Sequence, residues 1–151
     1  MCIRDRSKVN IVVEGRLLED DGNVLISLED NIEGNLMTSQ IATGEENDLK
    51  IRVWGKKGGI EWFHSNPNTM LLKLNNKPNQ ILRAGVNNAY LSDQAIAHCR
   101  TPSGHPEGFI EAFANIYRNF SYSVYNYNKG IKDDPIYDCL LYTSPSPRDA
   151  T

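Results

Sequence analysis

The chain has 151 residues, with 16 basic against 19 acidic side chains and a formal net charge of −3. That balance argues against a nucleic-acid surface, which needs clustered Lys and Arg. No apolar run approaches the roughly 20 residues needed to cross a bilayer, and the length suits about one domain.

The two ends come first in chain order and are read together. Met1–Arg6 (MCIRDR) and Cys139–Ser144 (CLLYTS) can be back-translated into reverse complements of each other. Both resemble the mosaic end of transposon-based sequencing adaptors, and Pro145–Asp149 continues as such an adaptor would. Residues 1–6 and 139–151 are therefore predicted to be translated adaptor, the second stretch disordered, and are set aside from fold reasoning. Residues 7–138 form the native segment. Without Arg4, Arg6, Arg148, Asp5 and Asp149 it carries 13 basic and 17 acidic residues, net −4. Cys2 and Cys139 leave with the tails. Cys99 alone cannot make an internal disulfide, so nothing implies an oxidising compartment. It reads as a small half-buried helix residue.

From Ser7 to Arg83 the pattern is strands and turns. Val9, Ile11 and Val13 alternate with polar neighbours, and Asp20–Asn23 is a turn cluster. Val24, Ile26 and Leu28 alternate again, a second turn falls at Asn31–Gly34, and Leu36–Ile41 follows as a strand. Leu49–Trp54 is the fourth strand. Gly55–Gly59 turns the chain into Ile60–Trp62, and Met70–Leu74 with Gln80–Arg83 reads as a further hairpin. Period-two apolar positions bounded by Gly, Asn and Asp predict a meander. One face of the sheet is apolar and the other mixed, so the sheet is expected to be open and mostly antiparallel or mixed. The predicted class is α+β, with helices covering one face.

The helical signals follow. A short helix is predicted from Ala89 or Ser92 to about His98, broken by Arg100–Gly104. A longer one starts at Pro106, which suits a first helical position because its missing N–H is not needed there. Glu107 and Glu111 suit the positive end of its dipole. Phe109, Phe113, Ile116, Tyr117, Phe120 and Val124 recur at helical spacing, which predicts an apolar stripe packed on the sheet.

Histidines are few. His64 is expected to be exposed at a strand end, and His98 to sit in the last turn of the short helix, where a cation suits the dipole. With Cys99 beside it, His98 still lacks the convergent ligands of a zinc site. His105 stands at the mouth of the longer helix. It is either a hydrogen-bond partner for a substrate oxygen or a helix-entry residue holding the Pro-Glu-Gly turn. Arg52, Trp54, Glu61 and Trp62 are candidates for a subunit contact on the open sheet face, since Arg and aromatics are enriched at interfaces. A solvated face with isolated aromatics is the plainer alternative.

Three strings occur in a fixed order. Thr43–Gly55 runs into Lys57-Gly58-Gly59-Ile60-Glu61-Trp62. Asn66-Pro67-Asn68-Thr69 follows, and Gly104-His105-Pro106-Glu107-Gly108-Phe109-Ile110-Glu111-Ala112-Phe113-Ala114-Asn115-Ile116-Tyr117 closes the set. This order resembles the C-terminal domain of the glucose–fructose oxidoreductase/inositol dehydrogenase (Gfo/Idh/MocA) family. The resemblance covers about Val13 to Asp138. It implies an NAD(P)-dependent oxidoreductase of sugars or polyols, with this segment supplying part of the substrate-site wall and a homo-oligomer interface.

The family's nucleotide and proton-transfer motifs are not here. There is no G-x-G-x-x-G before a helix, no Glu-Lys-Pro, and no Asp four residues ahead of His64, His98 or His105. The expectation is a fragment of a cytoplasmic dehydrogenase whose parent uses NAD or NADP. Alone it binds no cofactor, is inactive, and touches neither nucleic acid nor membrane. The alternative is a non-catalytic binding or assembly module with an open sheet.

Overall fold

A computed structural model describes residues 4–131. The predicted disorder of residues 139–151 lies outside them. The chain divides into two compact units, residues 1–47 and 48–151. Its class is α+β with open, wholly antiparallel sheets. The strands fall into two sheets and not one: three strands in the first unit, four in the second.

In the first unit β1 (Arg4–Asn10), β2 (Asp21–Leu28) and β3 (Ile32–Ser39) pair in chain order. Arg4, Asp5 and Arg6 continue the ladder opposite Ser27, Ile26 and Leu25. Strand pairing uses backbone groups that every residue carries, so a stretch set aside as adaptor can still extend a sheet. Two turn assignments shift. Asp21, Gly22 and Asn23 are not a turn but the start of β2, opposite Asn10, Val9 and Lys8. The connection is instead a loop over Ile11–Asp20, so the alternation of Ile11 and Val13 leads to no strand. The cause is Asp20, whose carboxylate accepts the N–H groups of Val12 at 2.7 Å and Val13 at 3.0 Å. The β2–β3 turn centres on Asp30 and Asn31, both left-handed at φ 60° and 58°, a conformation Asp and Asn tolerate.

In the second unit β4 (Lys50–Gly55), β5 (Gly58–Phe63), β6 (Thr69–Leu74) and β7 (Gln80–Arg83) form a continuous meander. Gly55 pairs with Gly58 across a loop of only Lys56 and Lys57. Gly58 has φ +158°, and a Cβ there would stand 2.1 Å from the Lys73 carbonyl oxygen, so the strand crossing admits only glycine.

Register sorts the two faces. Arg52 faces Glu61 and Ile51 faces Trp62, and directly paired residues lie on the same side of a sheet. Lys50, Arg52, Trp54, Glu61 and Lys73 therefore share one face. Ile51, Val53, Ile60, Trp62, Met70, Leu72 and Leu82 share the other. On that apolar face Ile60, Trp62, Met70, Leu72 and Leu82 are half-buried, while Ile51 and Val53 on the edge strand are exposed.

Two helices follow, α1 (Asp93–Ala97) and α2 (Phe109–Asn128). Ser92 caps α1 by accepting the Ala95 N–H. The longer helix begins three residues later than predicted. Gly108 at φ −146°, ψ −143° is its non-helical N-cap, and Pro106 lies outside. Glu111 reaches back to accept the Gly108 N–H at 2.8 Å, the reciprocal half of a capping box. The C-terminus closes on Gly130 at φ +67°. Ile131 N–H bonds the Asn126 carbonyl and Gly130 N–H the Tyr127 carbonyl, the pattern of a glycine-terminated helix end.

The apolar stripe of α2 is not core. Phe109, Phe113, Ile116, Tyr117, Phe120 and Val124 are all exposed, from 43% at Val124 to 69% at Tyr117. The covered stripe is polar: Glu111, Asn115, Arg118, Asn119, Ser123 and Asn126. Periodicity marks which residues share a side of a helix, but an opposing apolar element is needed to bury them. The polar side of α2 instead meets the end of α1. Among the described residues no hydrophobic side chain is fully buried.

Candidate functional site

The site is built from three segments of the second unit: Asn66–Thr69 before β6, the loop Ala84–Ser92 after β7, and Arg100–Gly108 between the helices. Asn68 joins the first to the last. Its amide nitrogen donates to the Glu107 carbonyl at 2.7 Å, and its amide oxygen accepts the Glu107 N–H at 3.3 Å. One side chain thus pairs with both peptide groups of one residue, as a strand neighbour would. Two of the strings that carried the family resemblance meet here, 39 residues apart in the chain.

Glu107 then closes its own loop. One carboxylate oxygen, Oε1, accepts the N–H of Arg100 at 2.6 Å, the N–H of Thr101 at 2.6 Å and the Thr101 hydroxyl at 2.8 Å. Burial pushes the Glu107 carboxyl up, but these three donors and the Arg100 charge outweigh it and hold it below the ordinary carboxylate value. The sequence position of Glu107 predicts the first turn of a helix, but α2 begins at Phe109. Glu107 is a loop residue that staples residues 100–107 into a ring.

The neighbouring loop is bound in as well. Val86 N–H donates to the Thr101 carbonyl at 3.0 Å. Ser103 N–H donates to Asn87 Oδ1 at 2.9 Å, and its hydroxyl to the Ala84 carbonyl at 3.0 Å. Asn88 donates to the Arg83 carbonyl and to Ser103 Oγ. Gly85 is buried, and a Cβ on it would lie 2.3 Å from the Ser103 nitrogen.

His105 sits within this ring, in the loop and not at a helix mouth. Its N–H donates to the Pro102 carbonyl at 3.2 Å, and its carbonyl accepts the Thr101 hydroxyl at 3.4 Å. The side chain is exposed, and its imidazole makes no hydrogen bond to any described residue.

The remaining candidates disperse. Arg52, Trp54 and Glu61 share the mixed sheet face, with Trp54 70% exposed and Glu61 bound to Lys73 at 2.6 Å. Trp62 belongs to the opposite face by register, and its indole N–H donates to the Pro67 carbonyl at 2.9 Å. His64 is half-buried and not exposed, edge-on to Trp62 with ring centroids 6.3 Å apart.

His98 is more than a dipole partner. Its Nδ1 lies 2.6 Å from the Gln94 carbonyl and its Nε2 2.8 Å from the Asn119 amide nitrogen. A carbonyl only accepts, so Nδ1 donates to Gln94. Asn115 and Arg118 bond the His98 and Ala97 carbonyls at 3.0 and 2.7 Å, satisfying the open end of α1. Cys99 is a free thiol of intermediate exposure.

Among the described residues no cluster of His, Cys, Asp and Glu could hold a metal ion, and no helix is long and apolar enough to cross a membrane. The glycine run at Gly55–Gly59 is a closed hairpin whose backbone is hemmed by the Lys73 and Val53 carbonyls, and no helix follows it to face a pyrophosphate.

No family model matches the chain. The uncharacterized oxidoreductase YfiI of Bacillus subtilis (strain 168) is 36% identical over 125 residues, 83% of this chain and 31% of that protein. An oxidoreductase from Sinorhizobium meliloti superposes with a TM-score of 0.78 at 34% identity, over 90% of this chain and 38% of its own. The chain belongs to the Gfo/Idh/MocA-like oxidoreductases. A further relative in this group is an inositol dehydrogenase homologue from Azotobacter vinelandii, solved with NADH and myo-inositol. Its TM-score is 0.75 at 30% identity, over 83% of this chain and 33% of its own. The chain spans about a third of the length of these oxidoreductases.

Proposed function

We propose that residues 7–138 are part of the C-terminal, substrate-side domain of an NAD(P)-dependent oxidoreductase acting on a sugar or polyol. The observation that carries this reading is the Thr101–Glu107 ring. The side chains of Thr101, Ser103 and Glu107 are spent on internal bonds, and Pro102, Gly104 and Pro106 have no polar side chain. The imidazole of His105 alone is held out uncommitted, able to donate to or accept from a substrate hydroxyl. The relative bound to NADH and myo-inositol supports a polyol as that substrate.

Arg52, Trp54 and Glu61 we assign to a homo-oligomer contact on the mixed sheet face; Trp62 serves the other side of the sheet. NAD or NADP belongs to a domain outside this chain, so the chain alone turns nothing over. A cytoplasmic setting and adaptor origin for residues 1–6 and 139–151 complete the reading.

Extending the reading frame upstream and assaying polyol-dependent reduction of NAD or NADP tests it. His105→Ala in that enzyme is expected to raise KM about tenfold or more, through loss of a hydrogen bond to substrate. An upstream sequence lacking both a G-x-G-x-x-G unit and a Glu-Lys-Pro motif would defeat the dehydrogenase reading and leave a binding or assembly module.

A further inference from the structure

The ring that carries His105 is over-determined, and its bonds run in one direction. Each polar side chain around His105 is turned inward on the backbone: Thr101 to the His105 carbonyl and to Glu107, Ser103 to Ala84, Glu107 to Arg100 and Thr101. The ring is anchored at a distance by Asn68, which holds both peptide groups of Glu107. Nothing in this arrangement touches the imidazole itself. A loop whose purpose was only to connect two helices would need neither a three-donor carboxylate nor a remote amide clamp, since connections of this length form with far fewer bonds.

We propose that Glu107 and Asn68 are positioning residues that fix the backbone presenting the His105 imidazole to a hydroxyl-bearing ligand. This rests on the reading of His105 given above. Glu107 acts by gathering the start of the ring onto its end. Asn68 acts by locking that end to the segment that leads into β6. With either one removed, the N–H groups of Arg100 and Thr101 or the peptide of Glu107 lose their partners, and the backbone that carries His105 is no longer held. A ligand hydroxyl then has to order the loop as it binds, and that entropy is subtracted from affinity.

The experiment uses the 151-residue chain. Amide hydrogen exchange and the imidazole ring-proton resonances of His105 are recorded by NMR, with and without myo-inositol, for wild type, Glu107→Ala, Glu107→Gln, Asn68→Ala and His105→Ala. Glu107→Ala and Asn68→Ala are expected to speed exchange at Thr101 and His105 about tenfold or more while protection in β4–β7 holds. They should also broaden the His105 ring signals and weaken their shift on adding myo-inositol. Glu107→Gln keeps an acceptor oxygen and should recover part of both effects, which a purely volumetric role would not predict.

Unprotected Thr101 and His105 amides in wild type would overturn the proposal. So would unchanged exchange in both Glu107→Ala and Asn68→Ala, or loss of protection spread evenly over β4–β7 in Glu107→Gln. The reading of His105 fails separately: an ordered imidazole in wild type that myo-inositol does not shift would remove the polyol ligand and leave the clamp standing.

Discussion

Two loops of this molecule use the same device to different ends. In the first unit Asp20 gathers the N–H groups of Val12 and Val13, and in the second Glu107 gathers those of Arg100 and Thr101. Each carboxylate turns two adjacent backbone donors inward and so shapes a loop that has no regular structure. Asp20 is almost wholly buried, at 3% exposure, and its clamp is local, reaching back eight residues at most. The loop it holds is exposed from Ile11 to Glu19, with Leu17 and Leu18 at 93% and 76%. Glu107 is half-buried, is itself held by Asn68 from 39 residues away, and frames an uncommitted imidazole. Pinning a loop is a general answer to unpaired backbone groups. Carrying an exposed imidazole is the added feature on which the proposed site rests.

This contrast is open to test, and the largest effect should come from the buried partner. Asp20→Ala removes the buried acceptor of two backbone donors, and exchange at Val12 and Val13 is expected to rise about tenfold or more. The second unit should be unmoved. Equal loosening of both units would show that the two loops are not independent.

Next in size is Gly85→Ala. A methyl group 2.3 Å from the Ser103 nitrogen and 2.7 Å from its hydroxyl has to push the two loops apart. Overpacking of this kind costs about 1–3 kcal/mol, read as a lower denaturant midpoint together with faster exchange at Ser103. A variant as stable as wild type would mean that the loops are not held against each other.

Acid should release both loops, by linkage. The Val12 and Val13 N–H groups, with Arg16, lower the Asp20 pKa from its usual 3.8. For Glu107, burial raises it but the Arg100 and Thr101 donors outweigh this, lowering it from 4.5. A carboxyl depressed in the folded state stabilises it above the unfolded pKa and loses that contribution as pH falls through the folded value. Protection at Val12, Val13 and Thr101, corrected for intrinsic exchange, should therefore be level from neutrality down to those ordinary values and fall only below them. A loss between pH 8 and 6 would point to a histidine instead.

The smallest effect belongs to Arg16→Ala. The Arg16–Asp20 pair is 3.4 Å apart with the Arg side chain 42% exposed, and exposed pairs of this kind contribute little. The thermal midpoint should stay within experimental scatter of wild type.

Much of the second unit was legible in the residues. The strands from Lys50 to Arg83 sit within a residue or two of their predicted spans, because period-two apolar spacing and turn-forming residues act locally. Ser92, one of the two starts predicted for α1, is the residue that caps it. Where prediction slipped, a remote group had intervened. Ile11 and Val13 alternate like a strand, but Asp20 claims the N–H groups a ladder would have used. Pro106 has the φ of a first helical residue, but Glu107 is drawn into the ring and defers the helix to Phe109. Trp62 is grouped with Glu61 as a contact candidate, but adjacent strand residues face opposite sides, and its register opposite Ile51 places it on the apolar one.

The site was half legible. His105, Asn68 and Glu107 all lay in the strings that carried the family resemblance, so their importance was signalled. Their roles were not. Sequence proximity suggested that Glu107 served the dipole of its own helix, and no local rule connects it with an asparagine 39 positions earlier.

By itself the sequence determined the meander, the two helices, the family, and the lack of a nucleotide fingerprint in this stretch, since each depends on residue type and short-range spacing. The tertiary structure decided which side of α2 is covered and which donors close the Thr101–Glu107 ring around His105. Those outcomes depend on which donors and acceptors meet across long stretches of chain. Hydrogen bonds are made between whichever groups the fold brings within about 3 Å, and no periodicity in the sequence encodes that.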